Sequence, residues 1–237
     1  MTAAVLLALV AGADLVTWRL GTSIRAGLAV GGWVAAVLVA AVALGDVAWF
    51  WAGVAACVTA AWILVRRAFG ADVAAVVLVV ATGALLLVDD ARGQAPLVVA
   101  GAALAVLLTH AANDVCRDVL VRAGAVAGGE VEAGAAGAGV VGAGAVQDDP
   151  AEASTPVTHL KGGRFIGPLE RWLIAALALV GAQAVIVGLM AAKGIGRFPE
   201  ISGDRRRGAA AEEFLVGSLV SWALAGLAAA ALAVLRG

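Results

Sequence analysis

The chain has 237 residues, 63% of them hydrophobic and 14% charged, with a mean hydropathy of +1.01 and a formal net charge of -1. A soluble domain carries roughly 45–50% apolar and 25% charged residues, and its surface must still be covered with polar groups. The composition therefore excludes an ordinary soluble domain and points to an all-α integral membrane protein, while the near-zero charge excludes a broadly basic nucleic-acid binder.

A helix crossing the hydrocarbon layer takes about 20 mostly apolar residues. The first such run is 2–18, which lacks the basic stretch that opens a signal peptide and reads as a retained helix. Asp14 lies near its end, where a hydrated carboxylate at the helix terminus is the favoured reading and a functional charge at membrane depth the alternative. The second run, 26–44, carries Gly27 and Gly31 at the spacing that lets a neighbouring helix approach. The third, 47–65, has Trp49, Trp51 and Trp62 near its ends, as an interfacial aromatic belt requires, and is closed by Arg66 and Arg67. The fourth, 71–88, stops at Asp89 and Asp90, which read as a water-facing cap.

The fifth run, 97–111, is short, and its end carries Thr109, His110, Asn113 and Asp114. Spaced i, i+3 and i+4, His110, Asn113 and Asp114 are expected to share a helix face, as a polar end-of-helix cluster. A proton relay or half a metal site is the sharper alternative, but a metal site needs three or four ligands and the other histidine, His159, lies far along the chain. Residues 114–122 continue as an amphipathic turn or two at the interface. Residues 123–146 hold eight glycines, each costing a helix about 1 kcal/mol relative to Ala. Together with the polar, Pro-bearing residues that follow, they make 123–162 a flexible linker.

Beyond the linker two more runs are expected as crossings, 172–192 and 214–235. Glu170 and Arg171 open the first; Lys193, Arg197 and Glu200 close it, and Glu213 opens the second. A continuous helix from Glu170 to Lys193 spans roughly 35 Å, so these charges are expected at opposite membrane faces, as snorkelling anchors or as a grip on an anionic headgroup. Gln183 falls near mid-membrane and calls for a hydrogen-bond partner on another helix. The small residues of both runs, such as Ala178, Ala182, Gly217 and Ser221, suit close helix packing.

These readings give about seven transmembrane helices: a five-helix block over 1–122, the linker, and a two-helix hairpin over 163–237. Seven crossings with the amino terminus outside place ten basic residues inside and six outside. The dissenting ones gather between the last two runs, at Lys193, Arg197 and Arg205 to Arg207.

The hairpin carries a resemblance. Gly163, Ile166, Gly167, Leu169, Glu170 and Arg171, then Ala192, Lys193, Gly194, Ile195, Arg197, Phe198 and Glu200, then Glu213 to Leu219 with Ser221, fit a three-part motif. It runs G-x-x-I-G-x-L-E-R, A-K-(S/G)-(I/L)-x-R-F-x-E and E-(Y/F)-x-(L/I)-(I/V)-G-(T/S)-L-x-S. It is similar to a segment of uncharacterised bacterial membrane proteins, a domain of unknown function. The resemblance covers about the last third of the chain and implies a structural unit without implying an activity.

Cys57 and Cys116 show neither a pairing pattern nor metal-ligand spacing, and no phosphate loop, zinc-protease or nucleophile-elbow motif occurs. No cofactor or metal is expected. The expected role is binding or permeation (a small transporter, channel or lipid-handling protein) in a bacterial cytoplasmic membrane, with the bilayer as partner and an anionic lipid or a protein meeting the hairpin. A membrane scaffold docking through the hairpin is the alternative, and an intramembrane enzyme ranks last.

Overall fold

The computed structural model describes residues 1–21, 23–43, 49–88, 94–124, 163–201 and 207–237, the side chains of 163–164, 197–201 and 207–210 excepted. Among the described residues it is all helical: α1 (Thr2–Leu20), α2 (Ile24–Ala43), α3 (Trp49–Phe69), α4 (Ala71–Val88), α5 (Gln94–Thr109), α6 (Ala111–Arg122), α7 (Gly163–Leu179), α8 (Gln183–Ile201) and α9 (Arg207–Arg236). Five of these are long and apolar enough to cross a membrane, and six if the pair α5 and α6, bent by 41°, counts as one. The linker, Asp89, Asp90 and Arg205 lie outside the described residues.

Helix α1 is the centre. It is apolar on every side, the mark of a helix surrounded by protein or lipid rather than water, and it packs on α5, α2, α3 and α4. Small side chains bring the axes together: Ala3, Ala4, Ala55, Ala74 and Ala100 are each fully buried. Gly12 is needed for a different reason. A Cβ there would meet the Trp33 indole of α2 at 2.0 Å, and that indole donates from Nε1 to the Ala8 carbonyl at 3.2 Å.

Helix α6 straps the α3–α4 turn. Asp118 accepts from the Ala71 backbone N–H at 2.6 Å, capping the start of α4. Arg122 pairs with Asp72 at 2.6 Å and donates to the Phe69 carbonyl at the end of α3.

The largest departure from the sequence expectation is the run 172–192. It is not one helix. Helix α7 stops at Leu179, and Gly181 takes a φ of 74°. The Ala182 N–H then returns to the Leu177 carbonyl at 2.9 Å and the Gly181 N–H to Ala178 at 3.1 Å. This is the paired closure of a helix end around a left-handed glycine. Helix α8 starts afresh at Gln183 and folds back, so that Lys193 Nζ lies 2.6 Å from Glu170 Oε2. The two charges expected at opposite faces share one end. Helix α9 also departs from expectation, opening at Arg207 ahead of the expected start at 214.

The hairpin makes a direct prediction. With Cys57 and Cys116 replaced, Glu170→Cys and Lys193→Cys together form a disulfide on mild oxidation, detected as a mobility shift lost on reduction. A single straight helix would hold the two thiols roughly 35 Å apart, and no bond would form.

Candidate functional site

Three polar clusters sit at one end of the bundle, and each answers the same physical problem. A charge taken out of water must be paired or fully hydrogen-bonded.

The first is built on Arg171 of α7, the largest fully buried side chain in the described structure. The 41° bend between α5 and α6 interrupts the helical ladder and leaves carbonyls without their usual donors. Arg171 Nε donates to the Leu108 carbonyl at 2.7 Å, Nη1 to Ser221 Oγ of α9 at 3.2 Å, and Nη2 to Asn113 Oδ1. Asn113 in turn donates from Nδ2 to the Thr109 carbonyl at 3.0 Å, and Trp172 Nε1 reaches the Ala105 carbonyl at 3.2 Å. All three partners of Arg171 are neutral. Its charge is offset by the negative end of the α5 dipole, where those carbonyls point.

The second cluster joins α1, α3 and α6. Arg66 donates from Nη1 to Asp14 Oδ1 and from Nη2 to Asp114 Oδ2, and its guanidinium lies 5.2 Å from the Trp62 ring centroid. Asp14 is 1% exposed, and among the described residues its Oδ2 has no hydrogen-bond partner. The favoured sequence reading of Asp14 is corrected here. α1 continues to Leu20, and the carboxylate is buried because Arg66 from a neighbouring helix meets it. Asp114 is more open, and its other oxygen lies 3.8 Å from Arg117.

The third cluster closes the hairpin. Glu170 binds Lys193 through Oε2 and accepts from Trp222 Nε1 at 2.8 Å through Oε1. Lys193 Nζ lies 5.7 Å from the Phe214 ring and 5.6 Å from the Trp222 ring, within cation–π reach of both.

His110, Asn113 and Asp114 do not act together. His110 lies at the bend, ahead of the first residue of α6, and its ring stacks at 4.3 Å on Trp18. Asn113 serves Arg171 and Asp114 serves Arg66, since consecutive residues of α6 point about 100° apart. Gln183 is exposed at the start of α8, and Glu213 is half-buried on α9. The side chains of Arg197 and Glu200 lie outside the described residues. Among the described residues no group of three His, Cys, Asp or Glu side chains is placed to hold a metal. Sequence reasoning missed Arg66 as a site residue. It ends an apolar run beside Arg67 and reads as an interfacial anchor, although Asp14, near the end of another run, was the available signal.

Beside the second cluster a cleft of about 440 Å³ runs between α4 and α9, backed by α1, α3, α5 and α6. Its rim includes the exposed Val79, Leu87, Leu227 and Val234. Among the described residues Arg66 is the one charged side chain in its wall; Thr82, buried and with its hydroxyl unpartnered by any described group, and otherwise apolar residues make up the rest.

The chain matches no family model, no curated protein and no solved structure.

Arg171→Met leaves the Leu108 carbonyl, Asn113 and Ser221 without their donor. It is expected to destabilise the fold by roughly 2–4 kcal/mol, read as a lower unfolding midpoint in detergent. Arg171→Lys recovers only part of this, since one ammonium has no planar fork to reach three separate helices. Equal midpoints for Met, Lys and wild type would contradict this role.

Proposed function

We propose that the chain is a membrane-embedded lipid-handling protein whose cleft holds the chain of an amphiphile. The observation that carries this reading is the cleft's wall. A volume of about 440 Å³ lies within the roughly 300–1,000 Å³ range of small-molecule sites, and nearly every surface it presents is hydrocarbon. An aqueous permeation path calls for polar lining reached by Asp14 or His110, whereas here Asp14 is locked to Arg66 and His110 is stacked on Trp18. Along α4 the lining extends from Ala71 to Leu87, about 24 Å at 1.5 Å per residue, a length suited to an extended chain. The exposed apolar rim between α4 and α9 opens the cleft sideways, toward where acyl chains would lie.

The scaffold alternative rests on small-residue faces turned outward. On α9 that face is spent within the bundle, with Gly217, Ser221 and Ala225 buried. The resemblance of the hairpin to uncharacterised bacterial membrane proteins agrees with a cytoplasmic-membrane location.

The folded-back α7–α8 pair also supports a revised topology. With α7 and α8 entering and leaving on one side, six crossings remain: α1 to α4, the bent α5–α6 pair, and α9. Among the described residues every lysine and arginine except Arg236 then falls on one side, which the positive-inside rule makes cytoplasmic. The basic residues that dissent from a seven-crossing arrangement join the majority.

Gly83 borders the cleft, and a Cβ added there meets no atom within 4 Å. Gly83→Phe is therefore expected to fill the cleft without disturbing the bundle and to lower tightly co-purifying lipid several-fold, measured by mass spectrometry of the delipidated protein's extract. Unchanged lipid content in a well-folded Gly83→Phe protein would contradict the proposal.

A further inference from the structure

We propose that the cleft selects a long-chain carboxylic acid, taken up as the neutral acid and split on binding, with its carboxylate on Arg66 and its proton on Asp14. This rests on the lipid-handling reading and names the ligand and its charge chemistry.

Among the described residues Arg66 is the sole charged side chain in the wall of the cleft, so it is the group a headgroup meets. It already binds carboxylates on both sides, from Asp14 and Asp114, so its geometry suits a third of the same shape. The Trp62 ring against its guanidinium and its 23% exposure leave room for a compact head rather than a bulky one.

Charge balance dictates the rest. Arg66 faces Asp14 from α3. Asp114 faces the pair from α6 with Arg117 and Asp118 behind it, and His110 faces it from the bend. From α4, Asp72 is already paired with Arg122; among the described groups Arg25 of α2 makes no ion pair, and α5 offers no charge to the cluster. The arrangement holds more carboxylates than cations, so a bare anion entering it is repelled. An acid that brings its own proton is not. Its O–H bond breaks, the proton goes to Asp14 Oδ2, the buried oxygen that no described group satisfies, and the Asp14–Arg66 bond is exchanged for one from the ligand's carboxylate. The net charge of the cluster is unchanged.

The test uses Trp62, which lines the cleft, as reporter. Purified full-length protein in detergent is titrated with a brominated long-chain acid, and the quenching missing from Trp62→Phe is taken as the signal. Wild type is expected to bind the acid about tenfold or more tightly than the brominated alcohol of equal length, a factor within the usual range of specific coupling. Above the titration of the free acid, its apparent Kd is expected to rise about tenfold per pH unit, because one proton is taken up. Asp14→Asn flattens that slope and Arg66→Gln removes the preference for acid over alcohol. Equal binding of acid and alcohol, a flat slope in wild type, or equal competition by phosphatidylglycerol, whose phosphodiester stays ionised, would each overturn this inference while leaving the lipid-handling reading intact. Absence of Trp62 quenching by every brominated chain would overturn that reading itself.

Discussion

A guanidinium with no exposed surface, at Arg171, sets the terms for the carboxy-terminal half of the molecule. Buried without hydrogen bonds it would be intolerable, so acceptors must be presented from several directions at once. The bend after α5 supplies them. It frees the Leu108 carbonyl, turns Asn113 inward and brings the α5 dipole's negative end to the same point. Ser221 completes the set from α9. The bend and the arginine are thus mutually dependent, since a straight α5–α6 helix would have no free carbonyl to give and the arginine no place to go. One residue further along, Trp172 fastens α7 to α5 a second time.

The amino-terminal half meets the same constraint with opposite charge. Asp14 sits in the most buried helix of the bundle and is tolerated because Arg66 crosses from α3 to it. Arg66 is shared with Asp114, which ties α6 into the arrangement, and α6 in turn caps α4 through Asp118. Charges are therefore concentrated at one end, and the remainder of the bundle is left to apolar contact, including the cleft. That separation, one charged group at the end of a long hydrocarbon wall, is what gives the cleft the polarity of an amphiphile.

The first four helices were legible in the sequence, because each is a long apolar run ending in charge and nothing in its interior contradicts a helix. The break at Gly181 was not. Hydropathy adds up a run without regard to where it turns, and the flanking Glu170 and Lys193 look the same whether they anchor two faces or grip each other. A glycine mid-run was the available sign, but glycines are frequent throughout this chain, and among the described ones most keep an ordinary negative φ. The polar residues were found more readily than their partners. Asp14, Asp114, Glu170, Arg171 and Lys193 stood out by residue type alone, whereas Arg66, Ser221 and Trp222 gain their roles only from helices far apart in sequence. His110, Asn113 and Asp114 do gather at the end of α5, as their spacing suggests, but each serves a different partner there.

The account turns on whether the run 172–192 enters and leaves the bilayer on one side. Its most direct test is labelling of single cysteines by an impermeant thiol reagent in intact cells, on a background with Cys57 and Cys116 replaced. Ile195→Cys, exposed beyond the Lys193 end of the hairpin, is compared with Arg67→Cys at the charged end and Trp49→Cys at the far end of α3. The proposed topology predicts that Trp49→Cys is labelled at once, while Ile195→Cys and Arg67→Cys react only after permeabilisation. Labelling of Ile195→Cys in intact cells while Arg67→Cys stays protected would mean that the run crosses the membrane, and would contradict the account.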